Sequence, residues 1–189
     1  SAFIAATAPS LWVIRRRGLP AWPTFDALAI GLALGYAIGR IGCFLVGDDY
    51  GKPTNLPWGM TFPEGLPPTT AGALRRDFAA QVDPSLADDA LVKVHPTQLY
   101  ETLTALVIWA IGLWLLSRRP RSGVVGLVVI TLLAIERFSV EFLRAKDDRF
   151  LGPLTLAQGI SLLVLVVAVA MLLRRRGVAA EEPRRAEAR

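Results

Sequence analysis

Long runs of apolar residues, separated by short polar and basic segments, dominate the pattern of this chain. A helix that crosses a bilayer needs roughly 20 mostly apolar residues. Five apolar stretches stand out, at residues 2–14, 25–46, 99–116, 123–144 and 154–173. No strand-like alternation of apolar and polar residues appears, and helices satisfy their own backbone hydrogen bonds in lipid. The pattern therefore predicts an all-α fold, a polytopic transmembrane helical bundle of about five spans.

Clusters of arginine follow the first, third and fifth stretches, at residues 15–17, 118–121 and 174–176. Threading the chain alternately through a membrane puts the three clusters on one side, which the positive-inside rule assigns to the cytoplasm. Residues 47–98 then form an external loop. We expect a single transmembrane domain over residues 1–176, followed by a disordered cytoplasmic tail over residues 177–189.

The N-terminal stretch and the external loop carry further expectations. The first stretch is short for a span and would begin outside, so we expect further sequence before Ser1. Within the loop, Thr70 is a suitable cap for a short helix over residues 71–82, and a second turn is expected around residues 85–91. The loop is predicted to be irregular apart from these short helices.

Composition narrows the classes of function. The chain has 189 residues, of which 53% are hydrophobic, and a formal net charge of +5. Its basic residues lie at the ends of apolar runs rather than along a soluble face, so no nucleic-acid partner is expected. The single cysteine, Cys43, cannot form an internal disulfide, and we expect it to be a small buried residue rather than a nucleophile.

Charged residues inside the apolar stretches are candidates for function, because each costs about 2.5–3.5 kcal/mol to insert near the centre of a bilayer. Arg40 and Arg137 lie six and seven residues before the outer ends of their stretches, roughly 9–10 Å deep at about 1.5 Å per residue. Glu141 and Arg144 follow Arg137 at helical spacing and are expected on its face, whereas Glu136 points elsewhere.

These charges allow two interpretations. They could form an ion-pair stripe that holds helices together. They could also bind an anion such as a lipid phosphate, because guanidinium groups bind phosphate with paired hydrogen bonds. The positive excess of Arg40, Arg137 and Arg144 over Glu141 favours the anion site, with membrane lipids as partners.

Other polar and small residues have simpler interpretations. His95, the only histidine, lies with Gln98 and Glu101 where the chain re-enters the membrane, and a lone histidine is more often structural than catalytic. Tyr100 is typical of an aromatic belt. Three glycines at intervals of four residues predict close helix packing; they are Gly31, Gly35 and Gly39.

Four blocks of sequence resemble the prolipoprotein diacylglyceryl transferase family. They are GRIGCFLVGDDYGKPTNLPWGMTFP at residues 39–63, HPTQLYE at 95–101, ERFSVEFLRAKDD at 136–148 and LTLAQGISL at 154–162. The blocks occur in the order of the family and extend over most of the chain from Asp26 to about Leu162.

The resemblance implies an enzyme of the bacterial cytoplasmic (inner) membrane. Its substrates would be phosphatidylglycerol and the signal peptide of a preprolipoprotein, whose lipobox cysteine thiol receives the diacylglyceryl group. Glycerol phosphate would be released, without a cofactor or metal. Family members have seven spans that start outside and end in the cytoplasm, so the five stretches would match the last five, with an active site that faces the outer leaflet.

The resemblance also assigns roles to residues. Arg40 matches the headgroup-binding arginine of the Gly-Arg-x-Gly-Asn-Phe signature, and Arg137 matches the essential arginine of the Arg-Phe-x-x-Glu block. Glu141 and Arg144 match the companions of Arg137. We predict that Arg40, Arg137 and Glu141 are catalytic. The predicted substrate-binding residues are Arg40, Arg137, Arg144, Gly51, Asp48, His95, Gln98 and Tyr100.

The chain departs from the family pattern at several positions. Cys43 and Val46 replace asparagines of the signature, Asp48 replaces a glutamate, and Leu133 replaces a tyrosine. A His-Gly-Gly element of the family would lie before Ser1. Two alternatives to the transferase therefore stay open: an impaired or truncated relative that binds phospholipid, and a small anion-binding permease or assembly subunit. The candidate bases for the thiol are His95, Glu141, Glu101 and Asp48.

Overall fold

The computed structural model describes Trp12, Ile14 and residues 16–118, 120–145, 149–151 and 154–187. Helices dominate these residues, which confirms the predicted all-α fold. The elements are α1 (Ala21–Val46), α2 (Ala71–Phe78), α3 (Thr97–Ser117), α4 (Val124–Val140), β1 (Arg149–Leu151), β2 (Leu154–Thr155) and α5 (Leu156–Glu187). The strands form one short antiparallel ribbon that pairs Leu151 with Leu154, where no strand was predicted.

Three of the described helices are long and apolar enough to cross a membrane: α1, α3 and the Leu156–Arg174 part of α5. The fourth predicted span is present as α4, which has 17 residues and ends at Val140 rather than at residue 144. The first predicted span, residues 2–14, falls almost entirely outside the described residues. The chain is thus a multi-pass membrane protein.

The long helices pack as a bundle in which α1 contacts α3 and α4, and α4 contacts α3 and α5. The apolar core between them contains Ala29, Ile30, Ala33, Ile108, Val125 and Val129. Two glycines allow the close approach: a Cβ on Gly112 would lie 3.0 Å from Ile30 and Val129, and one on Gly126 would lie 2.5 Å from the ring of Phe25.

The predicted close packing at Gly31, Gly35 and Gly39 is wrong for the described part of the chain. A Cβ built at any of the three meets no described atom within 4 Å. The spacing of four residues places the three glycines on one helix face, but α3 and α4 pack against the face that carries Ala29, Ile30 and Ala33.

Asp26 joins the first and fourth helices at the end of the bundle that carries the basic clusters. Its buried carboxylate accepts hydrogen bonds from the backbone N–H groups of Gly123 and Gly126, each at 2.6 Å. Gly123 precedes α4 with a φ of 89°, and the ring of Trp22 fills the space that a side chain would need. A side chain of α1 thus caps the first turn of α4.

The segment between α1 and α3 has an irregular backbone apart from one short helix, α2, as predicted. Thr70 caps α2 as predicted, by accepting a hydrogen bond from Ala73 N at 3.3 Å. The helix ends at Phe78 instead of residue 82 because Ala79 adopts a left-handed conformation. Residues 85–91 form turns, as predicted. A small core of Tyr50, Leu74, Val94 and Ala145 holds the segment against the chain that follows α4.

The last helix begins with a reciprocal cap and continues further than predicted. Gln158 N donates to Thr155 Oγ1 at 3.2 Å, and Thr155 N donates to Gln158 Oε1 at 3.1 Å, the arrangement of a capping box. The helix runs on to Glu187, where a disordered tail was predicted. Alanine, glutamate and arginine, which are strong helix formers, make up most of this segment, together with Gly177, Val178 and Pro183.

Candidate functional site

Arg40 lies in α1 six residues before its end and is 8% exposed. Its guanidinium contacts both oxygens of Glu101, with Nη2–Oε1 and Nε–Oε2 distances of 2.9 Å. Nη1 donates to Asp49 Oδ2 at 3.0 Å and lies 3.7 Å from the sulfur of Cys43. Tyr36, one turn earlier, accepts from Arg40 Nε at 3.3 Å and donates to Glu101 Oε1 at 2.8 Å. Arg40 is therefore held by residues of α1, of α3 and of the loop that follows α1.

Arg137 lies in the last turn of α4, close to its C-terminal end. It donates to Glu141, four residues later. Arg144 follows after the end of the helix, so the predicted shared helical face does not extend to it. A turn brings it back: Arg144 N donates to Val140 O at 3.2 Å, and its Nε lies 4.0 Å from Glu141 Oε2. Arg144 Nη2 also contacts Asp49 Oδ1.

Asp49 and Glu141 thus connect the three arginines into one continuous series of alternating charges. We call this series the charged chain; it consists of Arg40, Asp49, Arg144, Glu141 and Arg137. It links the C-terminal end of α1 to the C-terminal end of α4. Sequence spacing alone did not place these two ends together.

The positive excess expected from the sequence is absent from this arrangement. The three arginines are matched in formal charge by Asp49, Glu141 and Glu101, which all contact them. The loop that follows α1 supplies Asp49, and α3 supplies Glu101. Any anion that binds here must therefore exchange with a carboxylate of the protein or approach an arginine that is still accessible.

Residues of α3 hold the backbone beneath the charged chain. Gln98, which is fully buried, donates to Asp48 O at 2.6 Å, and Thr97 Oγ1 donates to Asp49 O at 2.9 Å. Gly51 pairs with Arg144, and a Cβ on Gly51 would lie 2.6 Å from Leu143 O. Glycine is therefore required at this crossing of the two segments.

His95 and Tyr100 form a neighbouring group at the start of α3. His95 Nδ1 lies 3.4 Å from Tyr100 Oη, which accepts a hydrogen bond from Trp58 Nε1 at 2.8 Å. The backbone of His95 pairs with Gly51 and Lys52. Burial lowers the pKa of His95, so its imidazole is neutral at pH 7. The described contacts of His95 support the loop rather than the arginines.

Three further polar groups differ in their surroundings. Burial opposes the ionisation of Asp49, but the charges of Arg144 and Arg40 prevail and lower its pKa. Both carboxylate oxygens of Glu136 are buried and have no hydrogen-bond partner among the described residues. The same is true of Asp48 Oδ1. Glu136 therefore lies inside the bundle, close enough to Glu101, Arg137 and Arg40 to interact with their charges.

A metal ion is not favoured by the donor atoms. Cys43, Asp48 and Asp49 place one potential ligand atom each within 4.8 Å of one another. The guanidinium of Arg40 contacts two of these three groups and already supplies the positive charge there.

Tyr36 and Asp49 were not among the residues predicted for the site, and Glu101 was predicted only as a candidate base. Tyr36 precedes Arg40 by one helical turn, a spacing that could have identified it. Glu101 follows Gln98 at i+3 on the buried face of α3, which is also a readable signal. Asp49 has no such signal, because an acidic residue in an external loop usually faces solvent.

Comparison with known proteins agrees with the four sequence blocks. The profile of the prolipoprotein diacylglyceryl transferase family matches residues 1–174. A phosphatidylglycerol–prolipoprotein diacylglyceryl transferase of Gloeobacter violaceus is 36% identical over 89% of this chain and 58% of its own length. One of Nitratidesulfovibrio vulgaris is 34% identical over 92% and 58%, and one of Stenotrophomonas maltophilia is 34% identical over 77% and 49%. The chain spans about half the length of these relatives, and it belongs to the prolipoprotein diacylglyceryl transferase family.

Proposed function

We propose that this chain transfers the diacylglyceryl group of phosphatidylglycerol to the cysteine thiol of a prolipoprotein. Family membership and the names of the similar proteins support the reaction and both substrates. The observation that carries the proposal is the charged chain, because it gathers three arginines at the outer ends of two helices. The proposal concerns the activity of the whole protein. The sequence described here spans about half the length of its relatives.

The arginines would bind the phosphate of the lipid and stabilise it as it leaves. Arg137 is the most accessible of the three, with 28% of its side chain exposed against 10% and 11% for Arg40 and Arg144. A phosphate that approaches from the lipid would meet Arg137 first. Fixed guanidinium groups around a developing negative charge are the usual means of electrostatic stabilisation.

The bonds that change follow from the two substrates. The thiol sulfur forms a bond with the glycerol carbon that carries the phosphate, and the bond from that carbon to the phosphate oxygen breaks. Its electron pair leaves with the phosphate as glycerol phosphate. The thiol proton passes to a base. Of the four bases predicted from sequence, Glu101 and Glu141 are held by arginines. Asp48 and the neutral His95 are the two that could accept the thiol proton.

The location and partners follow from the same proposal. The protein would reside in the bacterial inner membrane, with the C-terminus in the cytoplasm and the charged chain toward the outer leaflet. The lipobox of the signal peptide would then reach the site from the lipid phase beside α4. The small external core would close the site on the aqueous side.

A transfer assay tests the proposal. The protein encoded by the full open reading frame would be purified, reconstituted into vesicles of phosphatidylglycerol, and incubated with a lipobox peptide that contains one cysteine. Mass spectrometry should detect the peptide with a thioether-linked diacylglyceryl group, and release of glycerol phosphate should match it in amount. Vesicles of phosphatidylcholine, or a peptide with serine in place of cysteine, should give no product. Absence of product under all conditions would contradict the proposal.

A second candidate function, phospholipid binding without transfer, rests on Cys43 and Val46, which replace asparagines of the family signature. Cys43 lies beside Arg40, where an amide could have donated to a phosphate. Saturable binding of phosphatidylglycerol without any thioether product would favour this candidate. Passage of phosphate across the same vesicles would instead favour the permease.

A further inference from the structure

Asp49 occupies the position between Arg40 and Arg144 that a bound anion would take. Its Oδ2 accepts from Arg40 Nη1 at 3.0 Å, and its Oδ1 contacts Arg144 Nη2. One oxygen therefore meets each guanidinium. Two oxygens of a phosphate bind a pair of arginines in the same way.

The backbone of Asp49 is held in place independently of its carboxylate. Asp49 follows the left-handed Gly47 at the end of α1 and is itself left-handed, with a φ of 57°. Its carbonyl accepts from Thr97 Oγ1 at 2.9 Å, and the carbonyl of Asp48 accepts from Gln98 at 2.6 Å. The side chain can therefore leave the arginines by rotation while the loop stays anchored to α3.

The arginines also keep partners that would hold them after the carboxylate leaves. Arg40 retains Glu101 and Tyr36, and Arg144 retains Glu141 at 4.0 Å. The side chain of Asp49 is 39% exposed, whereas those of the two arginines are 10% and 11% exposed. The carboxylate therefore covers two positioned guanidinium groups on their open side.

We propose that Asp49 is a built-in competitor for the phosphate and thereby sets the affinity of this site for its lipid headgroup. The inference rests on the proposed function for the identity of the anion. The exchange conserves charge, because the phosphodiester of phosphatidylglycerol carries one negative charge, as the Asp49 carboxylate does. Return of Asp49 to the arginines would then assist the release of glycerol phosphate.

The variant Asp49→Asn keeps the size of the side chain and removes its charge. The two arginines should then bind a phosphate group more tightly, and we expect about a tenfold gain in affinity, equivalent to about 1.4 kcal/mol. The Michaelis constant for phosphatidylglycerol should fall while kcat does not rise, since product release loses its competitor. Asp88→Asn is the matched control, because it removes a carboxylate paired with an external arginine, Arg75, at 2.8 Å.

The measurement is the binding of inorganic phosphate, glycerol phosphate and phosphatidylglycerol to the purified full protein, with chloride at equal ionic strength and phosphatidylcholine as references. Tighter binding by Asp49→Asn and unchanged binding by Asp88→Asn support the inference. A gain for phosphatidylglycerol alone assigns the site to the headgroup, and a gain for all three assigns it to the phosphate itself.

Other outcomes would overturn the inference. Equal or weaker binding by a folded Asp49→Asn protein contradicts competition, and so does the absence of phosphate binding in every variant. Asp49→Ser serves as a second variant, because its short hydroxyl cannot bridge the arginines. If both variants unfold, Asp49 is a structural ion-pair partner and the inference fails. The transfer assay on the unaltered protein judges the proposed function separately in each case.

Discussion

At the scale of single residues, the site is defined by how each arginine is held. Arg40 has three fixed partners, whereas Arg137 has one carboxylate and the largest exposed fraction. The sequence identified these arginines because charge inside an apolar stretch is costly. It did not identify Asp49, because nothing in an external loop distinguishes an acidic residue that faces solvent from one that turns back onto α1.

Cys43 provides the first prediction at this scale. Its sulfur lies 3.7 Å from Arg40 Nη1, as expected for the position of the signature asparagine. Because the proposed reaction uses the thiol of the substrate, we expect Cys43→Ser to retain most transfer activity, and Cys43→Asn to equal or exceed it by restoring an amide donor. Mass spectrometry after incubation with phosphatidylglycerol provides the check. A diacylglyceryl adduct on Cys43 together with an inactive serine variant would show a covalent mechanism instead.

The ionisation of Asp49 provides the second prediction. Arg144 and Arg40 lower its pKa in the folded protein, so the ionised carboxylate stabilises the fold above the unfolded pKa of about 3.9. That contribution is lost as the pH falls through the lowered folded value. The stability advantage of the unaltered protein over Asp49→Asn should be constant from about pH 6 to 5 and shrink below about pH 4. Unfolding midpoints in detergent measure it, and a difference that is independent of pH would contradict the ion pairs.

At the scale of elements, hydrophobic patterning located the helices and polar contacts between elements set their ends and their packing. The apolar runs predicted both ends of α1, α3 and α4 and the start of α5 to within about four residues, because length and hydropathy determine a span. The three regularly spaced glycines of α1 misled the packing prediction, since spacing identifies a face but not its partner. Gly112 and Gly126, which do lie at helix contacts, have no repeat that would reveal them.

The cap between α1 and α4 yields a prediction for an element. Asp26→Ala leaves the buried N–H groups of Gly123 and Gly126 without an acceptor, and we expect a loss of about 2 kcal/mol in unfolding free energy. Asp26→Asn should lose less, since its amide oxygen can still accept. Unfolding in mixed micelles measures both, with Thr24→Ala, an exposed hydroxyl of the same turn, as the control. Equal stability of all three variants would show that the cap contributes nothing.

At the scale of the whole molecule, the basic clusters and the site lie at opposite ends of the bundle. The clusters predicted which side of the bundle is cytoplasmic, and the charged chain lies at the opposite ends of α1 and α4. How these ends meet could not be predicted from sequence, because it depends on the segment between α1 and α3 and on α3 itself. The first three of the four family blocks supplied that connection indirectly, since each contributes residues to the ion pairs of these arginines.

Accessibility of introduced cysteines tests the orientation. In a Cys43→Ser background, Leu66→Cys and Asp89→Cys should react with a membrane-impermeant thiol reagent added to intact cells. Arg118→Cys, at the end of α3, should react only after permeabilisation. Both wild-type side chains in the external segment are exposed, so burial does not explain a failure to react. The reverse pattern would place the charged chain on the cytoplasmic side.

The most direct measurement of the central claim is diacylglyceryl transfer by the full open reading frame with and without Arg137. Arg137→Ala should insert and fold normally, yet lose at least about a hundredfold in transfer rate, because a donor to the developing charge is worth about 2.7–4 kcal/mol. Arg137→Lys should recover little of it, since a point charge does not replace a planar two-pronged donor. Arg76→Ala, at an exposed arginine of α2, should transfer at the normal rate. Full activity of Arg137→Ala would contradict the assignment of the charged chain to the lipid phosphate.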